Sequence, residues 1–504
     1  MEVSSPMSPV VEHNPKSVRL GSLANGAPAP GKVTHSRNVP SSVGLSIPAT
    51  SVLLPLRFML AGVLALFCGV AILALRPELL ATYHYNQYII AVTHLLVLGW
   101  IGTIVMGGLY QLVPVALETR LYSERLARWQ FLCHLAGVAG MVWMFWNSNL
   151  KQVGHFGCLL GVGVGLFVYN IGRTLLRVPR WNVIAAAVAA ALAWFSFAIL
   201  AGLAIAAGKC TYDSPEGVAP AHALVSGLRA VAAWVTRFDQ LGAMHAHAHL
   251  GTVGVYLMLI LGISYKLVPM FTLGELQSPV RARISILLLN LGLIGAFLTI
   301  LTRSPWRWVC ALVLATALVI YGLEIRAILR TRKRRHLDWG MKYFLSALVL
   351  LVPVGALGVL LAWPRLPFTA FTGQLENLYG FLGILGVLSF AIVGMLYKII
   401  PFLVWYRSYS TRIGHGKVPA LAELYSAGWQ RVGYWCYLAG LAGSSVGILL
   451  SSSAIVRVGC FLLFGSLVTL AINLTKMLGH LVQPRVEPLP SPAIQSPRSK
   501  PAIA

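Results

Sequence analysis

Acidic residues are scarce in this chain. Fourteen Asp and Glu stand against 39 Lys and Arg in 504 residues, and charged residues of both signs make up only 11%. With 57% hydrophobic residues, this composition excludes an ordinary water-soluble domain and is typical of a polytopic membrane protein. The basic residues lie in short loops between apolar runs, where they set topology, so we expect no nucleic-acid partner.

Disulfide, metal-finger and secretory signals are also missing. The seven cysteines show no disulfide or metal-ligand spacing, and no C-x-x-C-H motif for covalent heme occurs. Six cysteines lie in apolar runs as small packing residues, and Cys210 lies in a polar loop. Residues 1–51 lack the apolar core of a signal peptide, which predicts a disordered cytoplasmic tail. A second Pro- and Ser-rich tail is expected over 481–504.

Long apolar runs fill the region between the tails. Each is close to the ~20 residues that cross a bilayer, which predicts an all-α membrane domain over 52–480 with twelve transmembrane helices. Basic residues concentrate in alternate loops, so the positive-inside rule places both termini in the cytoplasm. The membrane is expected to be the inner membrane of the cell. The longest outer loop is expected at 208–240. The predicted spans are 53–75, 88–115, 129–147, 153–175, 182–207, 241–271, 282–302, 306–328, 343–363, 378–404, 429–450 and 454–477.

A spacing of residues recurs on the second, sixth and tenth predicted helices. A first residue is followed at +5 by Gly, at +13 by Gly, at +16 by Tyr and at +20 by Pro. The three copies start at His94, His249 and Phe381, and they predict an internal repeat of three quasi-equivalent four-helix arcs. At 100° per residue the glycines and the tyrosine share one face, which suits close approach by a neighbouring helix or by a flat ligand.

Histidines open the sixth helix at alternate positions, in His245-Ala-His247-Ala-His249. This spacing directs His247 towards the glycine face and His245 and His249 towards the opposite face. Ionisable groups inside a membrane are costly, and imidazole is the commonest protein ligand of metals. His94, His247 and His249 are therefore candidate heme ligands, and His94, His245, His247 and His249 are candidate metal ligands. The alternative is an interfacial cluster wetted by headgroup water.

The segment His249-Leu-Gly…Gly262-Ile-Ser-Tyr265-Lys-Leu-Val-Pro269 resembles the heme–copper oxidase subunit I family, in the branch shared by cytochrome c oxidase and nitric oxide reductase. His247-Ala-His249 is similar to that family's His–x–His pair. The resemblance implies heme b, and copper as a further candidate, in a redox protein acting by electron transfer or on O₂ or NO near the outer leaflet. It also implies a cytochrome c or quinol donor and further membrane subunits beside the lipid bilayer.

The chain departs from that family's ligand pattern. Phe381 stands where the tenth helix should carry a histidine, and the seventh helix, near 282–302, contains neither histidine nor tyrosine. The resemblance therefore implies an incomplete ligand set, without the full dioxygen-reducing centre, and leaves open whether the protein is an oxidoreductase. Other hypotheses remain: a copper- or heme-handling protein similar to the nitric-oxide-response proteins known as NnrS, a transporter without redox chemistry, or an assembly partner.

Overall fold

The computed structural model describes residues 51–211 and 223–487, and regular structure there is helical apart from two isolated bridges. Residues 1–50 and 488–504, which hold most of the two predicted tails, lie outside the described residues, as does His222. The helices are α1 Leu53–Leu75, α2 Glu78–Ala81, α3 Gln87–Ala116, α4 Glu124–Trp146, α5 Leu150–Leu175, α6 Val183–Thr211, α7 Ala223–Val235, α8 Gln240–Thr272, α9 Pro279–Leu301, α10 Arg307–Arg330, α11 Trp339–Leu361, α12 Ala370–Arg412, α13 Ala427–Leu449 and α14 Ser453–Val482.

Eleven of these helices in the described chain are long and apolar enough to cross a membrane. The predicted third span, α4, is a helix of 23 residues but falls outside this group. Its first turns are charged, and it buries Gln130 and His134. Those polar groups are paired: Tyr110 donates to Gln130 at 3.2 Å, and His134 lies 3.0 Å from the hydroxyl of Thr103.

Polar residues fix where many of the helices begin. The side chain before the first turn accepts a hydrogen bond from a backbone N–H three residues later, which satisfies one of the donors that a helix start leaves free. Such caps precede the helices that carry the repeated frame and several of their neighbours: Asn86 for α3, Ser123 for α4, Asp239 for α8, Ser278 for α9, Asp338 for α11 and Thr369 for α12.

The predicted outer loop at 208–240 contains helix. Helix α6 continues to Thr211, and the short helix α7 occupies Ala223–Val235, while residues 212–222 lie outside the described residues. The sequence around both segments is rich in alanine, the residue with the highest helix propensity, and the helix therefore extends past the point where the apolar run weakens. Helix α14 likewise ends at Val482, five residues beyond the predicted end of the last span.

The three helices that carry the frame share an unusual backbone feature. Each contains eight residues of π-helix, which starts directly after the first residue of the frame. The segments are Leu95–Gly102 after His94, Leu250–Leu257 after His249 and Leu382–Ser389 after Phe381. π-Helix is rare and often accompanies functional sites.

The three π segments meet one another pairwise. Between α3 and α12, the buried indole N–H of Trp100 donates to the hydroxyl of Ser389 at 2.9 Å, and that hydroxyl donates to the carbonyl of Ile384. Between α3 and α8, a Cβ built at Gly102 would lie 2.8 Å from the hydroxyl of Tyr256. The starts of α3, α8 and α12 are thereby held around a common centre.

The frame glycines lie at helix–helix contacts. A Cβ on Gly107 of α3 would come within 2.4 Å of Phe58 of α1. A Cβ on Gly262 of α8 would come within 2.3 Å of Ala187 of α6, and one on Gly394 of α12 within 2.6 Å of the backbone oxygen of Gly340. Each frame helix thus packs against the long helix that precedes it, and helix packing, rather than a flat ligand, occupies the glycine face.

Ionic groups at the other end of the bundle are paired. The buried carboxylate of Glu324 accepts from Arg281 at 2.7 Å and from the backbone N–H of Gln277 at 2.7 Å and of Ser278 at 2.9 Å. Lys398 of α12 pairs with Asp338, the residue that caps α11.

Candidate functional site

A cavity of about 870 Å³ lies between α3, α8 and α12, next to the π segments. Its lining is largely apolar, and its polar groups come mainly from the helix starts. All four predicted ligands, His94, His245, His247 and His249, line it, together with His84, which precedes α3. A large apolar cavity with a few convergent polar groups is the usual form of a cofactor site.

His94 and His247 face each other across this cavity. Their ring centroids are 6.5 Å apart, and the ring planes differ by 20°. Phe145 of α4 packs against the other side of His94, with centroids 4.9 Å apart. His247 lies against α6, where a Cβ on Gly202 would be 3.0 Å from its Cε1. The alternate spacing therefore directs His247 towards α3 and α6, away from the other two histidines of α8.

The protonation pattern of His94 follows from its partner. Its Nδ1 lies 2.8 Å from the carbonyl of Ile90, four residues earlier, and because a carbonyl only accepts, Nδ1 must carry the proton. The Nε2 of a neutral His94 is then free to bind a metal. His249 has the same arrangement, with Nδ1 donating to the carbonyl of His245 at 2.7 Å. A backbone acceptor that fixes the tautomer is typical of ligating histidines.

His249 turns towards α12 rather than towards His94. Its Nε2 lies 3.3 Å from the hydroxyl of Tyr379, which donates to it, and the two rings stack with centroids 5.9 Å apart. Phe381, two residues later, is 5% exposed and lines the cavity. The start of α12 thus presents aromatic side chains to the cavity, whereas the start of α8 presents imidazoles.

His245 joins a second group of polar residues. Its Nε2 lies 3.1 Å from the Nε2 of His84, and Glu376 of α12 brings a carboxylate oxygen to within 4.8 Å of both nitrogens. Burial lowers the pKa of His84 below its usual range, and the hydrogen bond with Asn377 opposes that shift. Glu376 was absent from the sequence predictions. Its position beside the cap of α12, in a chain so poor in acidic residues, is the signal that could have found it.

The other histidines of the described residues are not among those that line this cavity. His155 of α5 is exposed. His134 of α4 is buried, and its Nε2 lies 3.2 Å from the carbonyl of Leu98, inside the first π segment. The Nδ1 of His480 of α14 lies 2.7 Å from the hydroxyl of Tyr409, within hydrogen-bond distance. These contacts are structural, and none brings a further imidazole to the site.

Comparison with known proteins points to one family. A model of the family "Cytochrome C and Quinol oxidase polypeptide I" matches residues 45–151, which include His94 and the first π segment. A curated relative, the bacteroid cytochrome c oxidase subunit 1 homolog of Bradyrhizobium diazoefficiens, is 36% identical over 70 residues, or 14% of this chain. The match spans 13% of that relative's length.

The likeness in fold extends much further along the chain. A heme–copper terminal oxidase dimer solved by cryo-EM superposes with a TM-score of 0.60 at 13% identity, over 87% of this chain and 86% of that one. Residues 45–151 thus match the oxidase subunit I family, and the described chain shares the fold of a heme–copper oxidase over most of its length. Helix α9 contains no histidine, and the first position of the frame on α12 is Phe381.

Proposed function

We propose that the protein is a membrane redox protein in which His94 and His247 would hold a b-type heme. The facing pair of imidazoles in the large apolar cavity is the observation that carries this proposal. Histidine–metal bonds of about 2.1 Å place two imidazole centroids on opposite sides of one metal ion roughly 6 to 6.5 Å apart. The centroid separation of 6.5 Å fits that arrangement.

The hydrogen bonding of the two residues also fits a heme. His94 is held by the Ile90 carbonyl with its Nε2 unprotonated, and Phe145 limits rotation of its ring. The Nδ1 of His247 is buried and makes no hydrogen bond of standard geometry within the described residues. A buried ring nitrogen without such a bond is costly, and a metal ion bound at that nitrogen would remove the cost.

When bound by both imidazoles, the heme would supply one-electron redox chemistry, tuned by its ligands and burial. The chain's own residues would hold the heme, exclude water with the apolar lining and keep a proton on Tyr379 beside His249. Electron transfer is the proposed activity, and chemistry on O₂ or NO would require that only one of the two histidines binds the heme. The missing ligands on α9 and α12 argue against a complete dioxygen-reducing centre with copper.

The proposed topology has twelve spans in three arcs of four, with both termini cytoplasmic and the cavity in the outer leaflet. The shared π segments on α3, α8 and α12, and the packing of each on the helix before it, support the threefold repeat. α4 would be the twelfth span: it packs along α5, joined to it by a short turn, and its buried polar groups are hydrogen-bonded.

Electrons would come from outside the 504 residues of this chain. A cytochrome c or a quinol is the proposed donor, together with other membrane subunits. The relevant membrane is proposed to be the cell's inner membrane, because basic residues are concentrated in alternate loops.

The test is an absorbance spectrum of the full-length protein purified in detergent, with heme quantified after extraction. We expect reduced-minus-oxidised bands of heme b at one heme per chain. His94→Ala should lose the bands and most of the heme, whereas His155→Ala should keep them, because His155 is exposed and distant from the cavity. A colourless wild-type protein contradicts the proposal.

A second candidate function is handling of copper or heme without turnover, as in the NnrS-like hypothesis. The additional imidazoles of His84 and His245 at one end of the cavity favour it, because they exceed what one heme requires. Stoichiometric copper without heme in the purified protein would support this candidate over the first.

A further inference from the structure

Three residues from distant parts of the chain form a compact cluster of ligand atoms. His84 comes from the segment between α2 and α3, His245 from the first turns of α8 and Glu376 from the first turns of α12. One nitrogen or oxygen of each lies within 4.8 Å of the other two, and all three side chains line the cavity. This cluster is distinct from the His94–His247 pair and does not depend on the heme proposal.

The tautomer of His84 is determined by Asn377. The amide nitrogen of Asn377 donates to the carbonyl of Thr82 at 2.6 Å and to the side-chain oxygen of Gln374 at 2.9 Å. Its oxygen therefore faces the Nδ1 of His84, at 3.0 Å, and can only accept a hydrogen bond. Nδ1 carries the proton, and the Nε2 of neutral His84 directs a lone pair towards His245.

The separation of the two imidazoles suits a shared metal ion. Nitrogens bound to one ion at about 2.1 Å, at the angles of octahedral or tetrahedral sites, lie roughly 3.0 to 3.4 Å apart. The Nε2 atoms of His84 and His245 are 3.1 Å apart. A direct N–H···N hydrogen bond would have the same length, so this distance does not distinguish a metal ion from a hydrogen bond. The third member of the cluster, Glu376, distinguishes them.

Glu376 is the observation that favours a cation. Its side chain is half-buried, and among the described residues its carboxylate has one hydrogen bond, a long one of 3.5 Å from the hydroxyl of Tyr83. It forms no ion pair within that part of the chain. A buried carboxylate is costly unless it is paired, and Arg307, a cation that lines the same cavity, forms no ion pair with Glu376 within the described residues.

We propose that His84, His245 and Glu376 bind a divalent first-row transition-metal ion at the outer end of the cavity. Two imidazoles and one carboxylate are the ligand set of open zinc and non-heme iron sites, in which further positions remain for water or a small molecule. The ion would also tie the segment before α3 to α8 and α12. Asn377 is the positioning residue, because it holds His84 in the ligating tautomer.

Co²⁺ is a suitable probe, since its visible absorbance reports coordination by nitrogen and oxygen. Full-length protein, treated with a chelator and exchanged into fresh detergent, is titrated with Co²⁺ and then with Zn²⁺ as competitor. We expect one saturable equivalent displaced by Zn²⁺. Glu376→Gln, which keeps the shape of the side chain, and His84→Ala should each weaken binding at least about 100-fold, and Asn377→Ala by about 10- to 100-fold.

Control variants distinguish this site from Co²⁺ binding at surface histidines and from the His94–His247 pair. His155→Ala removes an exposed imidazole on the same predicted side and should bind Co²⁺ as the wild type does. His247→Ala should also retain Co²⁺, because the ion is proposed to lie away from the His94–His247 pair. Elution volume and helical circular dichroism check that each variant is folded. If His84→Ala does not fold, Glu376→Gln is the decisive variant.

The proposal is overturned if the wild type binds no saturable Co²⁺, or if Glu376→Gln binds it as tightly as the wild type. It is also overturned if His247→Ala abolishes binding while Glu376→Gln does not. Heme is measured on the same samples. Absent heme with intact Co²⁺ binding contradicts the heme proposal alone, and normal heme without Co²⁺ binding contradicts the metal site alone.

Discussion

Helices α8 and α12 share a backbone design and differ in the chemistry at its start. Both carry the Gly, Gly, Tyr and Pro spacing, and both enter eight residues of π-helix directly after its first position. At and before that position α8 has His245, His247 and His249, whereas α12 has Tyr379 and Phe381. The π segment therefore does not require a ligating histidine, and backbone geometry and ligand chemistry have varied separately.

The comparison between α8 and α12 is tested first by removing the histidines of α8 one at a time. His247→Ala should lower heme content by more than about tenfold, because an axial ligand is lost. His249→Ala should retain most of the heme, since His249 contacts Tyr379 and not His94. Extracted heme per mole of protein measures both, and equal losses in the two variants would contradict the assignment.

The close helix packing at the frame glycines can be disrupted on both α8 and α12. Gly262→Ala and Gly394→Ala should each destabilise the fold by about 1 to 3 kcal/mol or more, because their new Cβ atoms would collide with neighbouring helices. Gly108→Ala on α3 is the matched control: no atom lies within 4 Å of its Cβ, and alanine favours helix by up to about 1 kcal/mol. Thermal unfolding in detergent should rank the three accordingly. Similar midpoints for all three would refute the close-contact account.

The hydrogen bond between the π segments of α3 and α12 should contribute no more than these glycine contacts. Ser389→Ala leaves the fully buried indole N–H of Trp100 without its acceptor, which should cost about 1 to 3 kcal/mol. Ser445→Ala, which removes a hydroxyl bonded only within its own helix, is the control. The difference in unfolding midpoint between the two variants measures this link, and an absent difference would mean that the bond does not hold α3 to α12.

Close packing behind His247 should have a moderate effect on the site. Gly202→Ala adds a Cβ 3.0 Å from the imidazole, which must move by a few tenths of an ångström. We expect weaker heme retention during dilution while the fold persists. Gly165→Ala, where the new Cβ meets no atom within 4 Å, should behave as the wild type. Unchanged retention in Gly202→Ala would mean that the position of this ring is unimportant.

The smallest effect is expected at Tyr379. Tyr379→Phe removes the hydroxyl that donates to His249 and keeps the stacked ring, so heme content and band positions should remain close to those of the wild type. A complete loss of heme bands in this variant would place the iron at His249 instead of His247.

Sequence alone predicted much of the helical region and the direction of the α8 histidines, because hydrophobic length and helical period are local properties. It did not predict the π segments, since their apolar residues carry no signature distinct from ordinary helix. The angles calculated at a constant 100° per residue do not hold across these segments. The cluster of His84, His245 and Glu376 was also missed, because only tertiary packing brings positions so far apart in the chain together.

The central claim, coordination of one heme iron by His94 and His247, is tested most directly by low-temperature electron paramagnetic resonance of the oxidised protein. The account predicts a low-spin ferric signal typical of two imidazole ligands in the wild type and in His155→Ala. In His94→Ala and in His247→Ala, any heme that remains should be high-spin. A high-spin wild type, or a low-spin signal that survives in His247→Ala, would contradict the account.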